Sequence, residues 1–454
     1  MQSKESSETA SSGMASSGMA SSGTAASGME SSGWRLKKYR ERLLVDVPEL
    51  SKSTGIPQDR ITGIESGRAR PTEHEIILLS GFFKCDCLTP GQLHTPQPSR
   101  MTQEPSRSTQ EPSRSTQGPS LTTQGPSHPG SCPGSCPGAH PHSHPGADTG
   151  YERCTAFNEA DGFFEKYGAR LTKQDRWSVH IFLCLCDNER FIYSDLLGFA
   201  IKFFPRRAPA ENPFEDGRRA GAELRAHLGW GPTETPADLD EDFMRIGFHA
   251  IYRNLENPDI AGLYVRRRDD TLCLLVNYDE DFLSRRFTLA RLAAHAVLGQ
   301  SAVLQPKTDL SNADDLRATA FAAGLLFAPE LLTTREISPE NIVDTALRLR
   351  VTVGDLTTAL TAADAVDAAS AEKFRARELP EERRIDPLLT GGITEATRKL
   401  RLHLLHRGLS PYYIELCLSA LNMKLLTPGC LAVMLLTNER ELPMILDAFE
   451  RSIG

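Results

Sequence analysis

Asn277 to Val303 reads NYDEDFLSRRFTLARLAAHAVLGQSAV, and after a polar break Asp314 to Leu332 reads DDLRATAFAAGLLFAPELL. How these two stretches are read decides the fold. From Phe287 to Leu298, Leu289, Leu292 and Ala296 recur at helical spacing, with Arg291 and His295 one turn apart. The second stretch is apolar at helical spacing too, so two helices flanking a loop are expected. Upstream, Phe248–Arg253 and Gly262–Asn277 alternate like strands. Helices dominate the rest, so the expected class is mainly α with a small α+β domain.

In a zinc-peptidase helix, two His at i and i+4 point at one metal. A Glu beside the first His activates the bound water. Here only the second His is present, as His295; Arg291 stands at the first His position and Leu292 at the Glu position. A guanidinium cannot be deprotonated to bind zinc, and Leu cannot take a proton.

The stretch resembles the ImmA/IrrE-type metallopeptidase family. The blocks that carry the resemblance are Ala261-Gly262-Leu263, Cys273 to Asn277, Arg286 to Ala290, Phe321 to Leu326 continuing to Pro329, and Val351-Thr352-Val353 to Leu360. Together they cover about 120 residues in the family's order. The resemblance implies a zincin-like α+β domain with a degenerate H-E-x-x-H helix. It also implies a third ligand, a Glu just before the second helix, where the nearest carboxylates here are Asp314 and Asp315. With Arg291, Leu292, His295 and Asp315 at the motif positions, the expectation is a pseudo-metallopeptidase with no catalytic residue, no metal and no cofactor.

The chain has 454 residues, enough for two or three domains, and its 39% hydrophobic content fits globular parts diluted by polar tails. A formal charge of −8 argues against a protein that coats nucleic acid everywhere, while leaving room for a local basic face. No apolar run reaches membrane-span length and the N-terminus lacks a signal pattern, so no membrane partner and a cytoplasmic location are expected. The ten Cys are scattered, as in reduced thiol usage.

Residues 1–33 repeat ASSGM-like units and residues 93–150 are Pro/Ser/Thr/Gln-rich. Both are expected to be disordered, the second as a flexible linker. The Cys132, Cys136, His140, His142, His144 cluster in that linker could hold a soft metal, but a repeat-expanded linker is the favoured reading.

Between them, Trp34–Leu44 has helical periodicity and a basic face. Asp46 can cap a second helix with Pro48 in its first turn, Gly55 supplies a tight turn, Ile56–Gly67 is a third helix and Glu73–Phe83 a fourth. Helix, Gly turn, helix is the geometry that lays a second helix in the major groove. Leu50, Ile56, Ile61, Ile64-Glu65-Ser66-Gly67 and Arg70-Pro71 resemble the XRE-type helix-turn-helix family, which implies a lambda-repressor-like bundle of four or five helices. From Trp34 to Pro71 there are nine Lys/Arg against five Asp/Glu, an excess suited to phosphates. The expected DNA-binding set is Lys37, Lys38, Val47, Gln58, Asp59, Arg60, Thr62, Arg68 and Arg70. Val47 occupies a position that is often Gln in the family, and Val can touch only a thymine methyl. Gly63 also removes a side chain from the reading face. Base readout is therefore expected to lean on Gln58, Asp59, Arg60 and Thr62.

Trp177–Phe204 is apolar and reads as helices, and Gly217–Leu228 and Asp238–Gly247 read as further helices. Arg266-Arg267-Arg268 could be an anion site, but a solvated hairpin tip is the favoured reading. Asn341–Leu349 and Val353–Leu360 are helical, Glu372–Pro387 is a charged connector, and Ile393–Ile453 is helical with breaks at Gly408, Pro411, Pro428 and Gly429. The expected organisation is a tail (1–33), a helix-turn-helix domain (34–92), a linker (93–150), a helical connector (151–210), a peptidase-like domain (211–380) and a C-terminal helical segment (386–454). The expected function is a transcription regulator that binds double-stranded DNA, its peptidase-like domain sensing a small-molecule or protein effector or gripping a protein. Self-association to a homodimer is a further expectation. The alternative is an active zinc metallopeptidase that cleaves a repressor or antitoxin partner.

Overall fold

The computed structural model describes residues 32–84, 156–231, 234–236, 239–267, 270–307, 312–327 and 337–450. Residues 1–31 of the tail, the Pro/Ser/Thr/Gln linker with its Cys and His cluster, Arg268 and Pro329 lie outside the described residues. The chain is mainly helical, with one small mixed sheet. Among the described residues no helix is long and apolar enough to cross a membrane.

The sheet has four strands, β1 (Phe248–Arg253), β2 (Ile260–Arg266), β3 (Leu272–Asn277) and β4 (Ala302–Pro306), in the order β1-β3-β2-β4. β1 runs parallel to β3, and β2 is antiparallel to both β3 and β4. All residues of β3 are buried, because both sheet faces are covered. Ala250, Tyr264, Leu274 and Val276 pack on one face, against α7 (Pro213–Leu228), α8 (Asp240–Arg245), α9 (Phe282–Val297), α10 (Ala313–Leu326), α11 (Ile342–Leu349) and α12 (Val353–Ala362). Ile251, Leu263, Cys273 and Leu275 belong to a second core. That core also takes in α5 (Ala156–Tyr167), α6 (Lys173–Arg190) and the C-terminal helices α15 (Glu395–His406), α16 (Pro411–Asn422), α17 (Pro428–Met434) and α18 (Leu442–Ala448).

Close backbone approach sets the packing of the first face. A Cβ at Gly217 or Gly221 of α7 would collide with the Arg317 or Phe321 carbonyl of α10, and one at Gly324 with the Arg218 carbonyl of α7. Only residues without a Cβ let these two helices touch backbone to backbone.

Near the N-terminus, α1 (Ser32–Arg42), α2 (Val47–Thr54), α3 (Gln58–Glu65) and α4 (Glu73–Phe83) close around Leu36, Leu43, Leu50, Ile61, Ile64 and Phe83. Asp46 caps α2 by accepting from Glu49 N at 2.7 Å, and Gly55 ends it at φ 75°. Thr72 and Glu75 form a capping box on α4. This unit rests on α6. Phe83 stacks on Trp177 at 6.3 Å between centroids, His180 Nε2 donates to Phe83 O at 2.7 Å, and Lys173 pairs with Glu49 at 2.6 Å.

Several expectations need correction. Trp177–Phe204 is not helical throughout: α6 widens into a single π-type turn over Phe191–Leu196, and an irregular strap follows. A strand, β4, runs from the end of the first quoted stretch into the polar break. Arg266 and Arg267 are not a solvated tip. Arg267 is buried and pairs with Asp187, and Arg266 donates to Ala296 O at 2.8 Å. The charged connector carries two short helices, α13 (Ala368–Arg375) and α14 (Glu381–Arg384). The helical run is interrupted just before Pro411 and Pro428, each of which opens the next helix since the first turn needs no N–H, whereas Gly429 lies inside α17.

Candidate functional site

α9 is buried on all sides, so its polar residues sit inside the molecule. Arg291 is 5% exposed and His295 1%. Opposite His295 lies Gln305 on β4, itself fully buried. His295 Nε2 and Gln305 Oε1 are 3.0 Å apart, and Gln305 Nε2 lies 3.4 Å from Asp315 Oδ1. Because the amide offers its oxygen to the ring and its NH2 to the carboxylate, Nε2 of His295 carries the proton. The Nδ1 atom is buried with no hydrogen-bond partner among the described residues. Burial lowers the His295 pKa below its ordinary value, with the nearby Arg291 charge acting the same way. Asp315 closes the chain, its Oδ1 3.9 Å from Arg291 Nη2. Its backbone N–H and that of Asp314 donate to the side chain of Asn312, the N-cap of α10.

The four motif positions thus split. Arg291, His295 and Asp315 come together, with Gln305 as the bridge. Leu292 is buried against Gly262 of β2, where a Cβ would lie 3.0 Å from its Cδ1. Asp314 faces away, accepting from Gln300 Nε2 and Arg317 Nη1, each at 2.9 Å. Sequence reasoning missed Gln305, because β4 went unread. It also missed Asp355 at the start of α12, which accepts from Ser284 Oγ at 2.9 Å and Thr352 Oγ1 at 2.6 Å. Burial pushes Asp355 up to about 6. The Thr352-x-x-Asp355 spacing, a helix-cap pattern, was the signal available for it.

Chemically this is a polar bridge between α9, β4 and α10. The one imidazole donates to an amide, and the cation beside it repels a divalent metal. Ser284 donates to a carboxylate with no imidazole in the pair. Among the described residues no three His, Cys, Asp or Glu side chains are grouped so as to hold a metal ion.

The second candidate surface is α3. Gln58, Asp59 and Thr62 are exposed on it, as are Arg68 and Arg70 beyond its end, while Ile61 and Ile64 are buried beneath. Thr62 Oγ1 donates back to Gln58 O at 2.9 Å. Arg60 has partners within the unit. It forms a two-pronged pair with Glu75 of α4, at 2.7 and 2.9 Å, and donates to Arg70 O at 2.7 Å, so it ties α3 to α4. Arg40 is committed in the same way to Glu65, at 2.7 and 3.0 Å. Val47 is half-buried against the core of the unit. Lys37 lies exposed 3.9 Å from Glu41, and Lys38 is half-buried. The basic excess counted along the sequence is therefore partly spent inside the unit, leaving Lys52, Arg68 and Arg70 exposed around α3.

No protein-family model matches the chain, and no curated protein and no solved structure matches it.

Proposed function

We propose that the chain is a DNA-binding regulator in which α2, the Gly55 turn and α3 act as a helix-turn-helix, and the body around α9 is a peptidase-like domain that binds or senses without hydrolysing. The observation that carries the DNA reading is the two-sidedness of α3. Its apolar residues, Ile61 and Ile64, are buried, and its exposed side offers Gln58, Asp59 and Thr62 with Arg68 and Arg70 alongside. Gln and Thr can read base edges, and the two arginines can meet phosphates. The contacts to α6 come from α1, α2 and the end of α4, so α3 is not used in them.

The non-hydrolytic reading is supported by the bridge around Arg291. A cation fills the place a zinc ligand would need, and the one imidazole is engaged with Gln305. Among the described residues no set of side chains there could hold the metal ion that would activate a water.

The test is fluorescence anisotropy of the full chain against a pool of labelled duplexes across a salt series. Binding should fall steeply with salt. The Arg68→Gln/Arg70→Gln variant should weaken all duplexes alike and flatten the salt slope, and Gln58→Ala should reduce the preference among sequences. Salt-insensitive binding, or none to any duplex, refutes the DNA reading.

A further inference from the structure

The irregular strap between the π-type turn and α7 covers a cavity of about 280 Å³ at the edge of the sheet. Backbone bonds tie the strap down at both ends of this stretch, Lys202 N to Arg245 O at 2.9 Å and Arg207 N to Val297 O at 3.1 Å. It also presses on Gly247, at φ 87°, where a Cβ would lie 2.8 Å from the Phe203 ring. The floor is apolar and fixed: Phe248, Leu272, Ala296 and Val297 are all buried. The lid is aromatic, and Phe203 is 59% exposed.

The polar groups of this cavity are unequal in charge. Arg266 lines it, its Nη2 donating to Ala296 O at 2.8 Å and its Nε to Tyr264 Oη at 3.1 Å, so its guanidinium is held in place by neutral oxygens. Arg206 at the rim pairs with Asp270, and both side chains are at least half exposed. Among the described residues, two guanidinium groups and one carboxylate line the cavity, and that carboxylate is in an exposed pair, the kind that contributes little and is readily exchanged. A planar apolar body with one anionic end matches this arrangement: the ring against Phe203 and the apolar floor, the carboxylate on the arginines.

We propose that this cavity binds a small aromatic carboxylate, which takes the place of Asp270 on Arg206 and reaches Arg266. The inference does not depend on the DNA reading, because no residue of 32–84 lines the cavity.

The probe is 2-naphthoate, titrated calorimetrically into the full chain, with 2-naphthalenemethanol as its neutral counterpart. The acid should bind roughly tenfold or more tightly than the alcohol, about one charge-assisted contact's worth. Arg206→Gln, on the exposed rim, should remove that advantage and leave the alcohol unchanged. Ala296→Leu should narrow the cavity and weaken both, with circular dichroism and the unfolding midpoint confirming that the variant folds. Equal affinity for acid and alcohol, acid binding indifferent to Arg206→Gln, or no binding of either compound would each overturn the proposal.

Discussion

Replacing Arg291 by Met is the sharpest test of the bridge between α9 and α10. Met keeps most of the side-chain volume, so the experiment reads charge rather than a cavity. The pair is nearly out of solvent, Arg291 at 5% and Asp315 at 7% exposure, with 3.9 Å between Nη2 and Oδ1. At an effective dielectric of about 20, opposite charges at that separation attract by roughly 4 kcal/mol before desolvation. Most of that attraction offsets the cost of burying both ions, so the pair itself contributes little. Removing one side is different, because Asp315 would then stay buried as an uncompensated carboxylate, at a cost of about 3 kcal/mol. Arg291→Met/Asp315→Asn, which removes both charges and keeps an amide oxygen for Gln305, should recover at least about 1 kcal/mol of that loss. Urea unfolding followed by near-ultraviolet circular dichroism gives the cycle. A coupling below about 0.5 kcal/mol would show that Arg291 and Asp315 do not act as a pair, and the account of the bridge would fall.

Asp355 predicts a pH dependence. Its folded pKa, raised by burial to about 6 from 3.8, means that the folded chain binds the extra proton between those values. Stability from this group therefore falls as pH rises from about 4 to about 6 and is flat above. Asp355→Asn should gain stability above pH 6, on the order of 2–3 kcal/mol, and match the parent below pH 4; a gain that persists at pH 4 would sink the assignment. Gly221→Ala should force α7 and α10 apart and cost about 1–3 kcal/mol in thermal or urea unfolding, whereas an unchanged midpoint would contradict the close packing. Trp177→Ala should loosen the N-terminal unit from α6, seen as faster amide hydrogen exchange in α1 and α4 with β3 unaffected; equal protection in both proteins would mean the aromatic contact holds nothing.

The helices with strong local signals were legible in the sequence. Asp46, Pro48 and Gly55 bound α2, and Glu73–Phe83 falls where the periodicity put it, because caps and turns are decided within a few residues. β4 was not legible. Its burial comes from pairing with β2, and Ala302–Pro306 is short and shows no alternation to announce itself. Gln305 went with it, and so did the partner that explains His295. Arg60 was legible as a charge but not as a committed one. Its mate Glu75 lies fifteen residues on, across the turn between α3 and α4, and a count of basic residues cannot tell a free guanidinium from one already held.

The same limit explains α9, the element on which the functional reading turns. A helix with one buried face shows it as an apolar stripe, and its charges mark the wet side. α9 carries Arg285, Arg286, Arg291 and His295, and all four are buried. Arg285 reaches Asp386 at 2.9 Å and lies over the Tyr278 ring at 3.9 Å, while Arg286 donates to Pro236 O at 2.5 Å. Apart from Tyr278, these partners come from segments some fifty to a hundred residues away, so no short window along the sequence contains both halves of those contacts. What the sequence does contain is Arg291 and Leu292 themselves, and their chemistry constrains the site wherever the helix is buried. A guanidinium cannot become a metal ligand in any environment, but burial compels it to find a carboxylate or carbonyl. The charged bridge and the proposal that this site does not hydrolyse thus rest on one residue, and both stand or fall with Arg291.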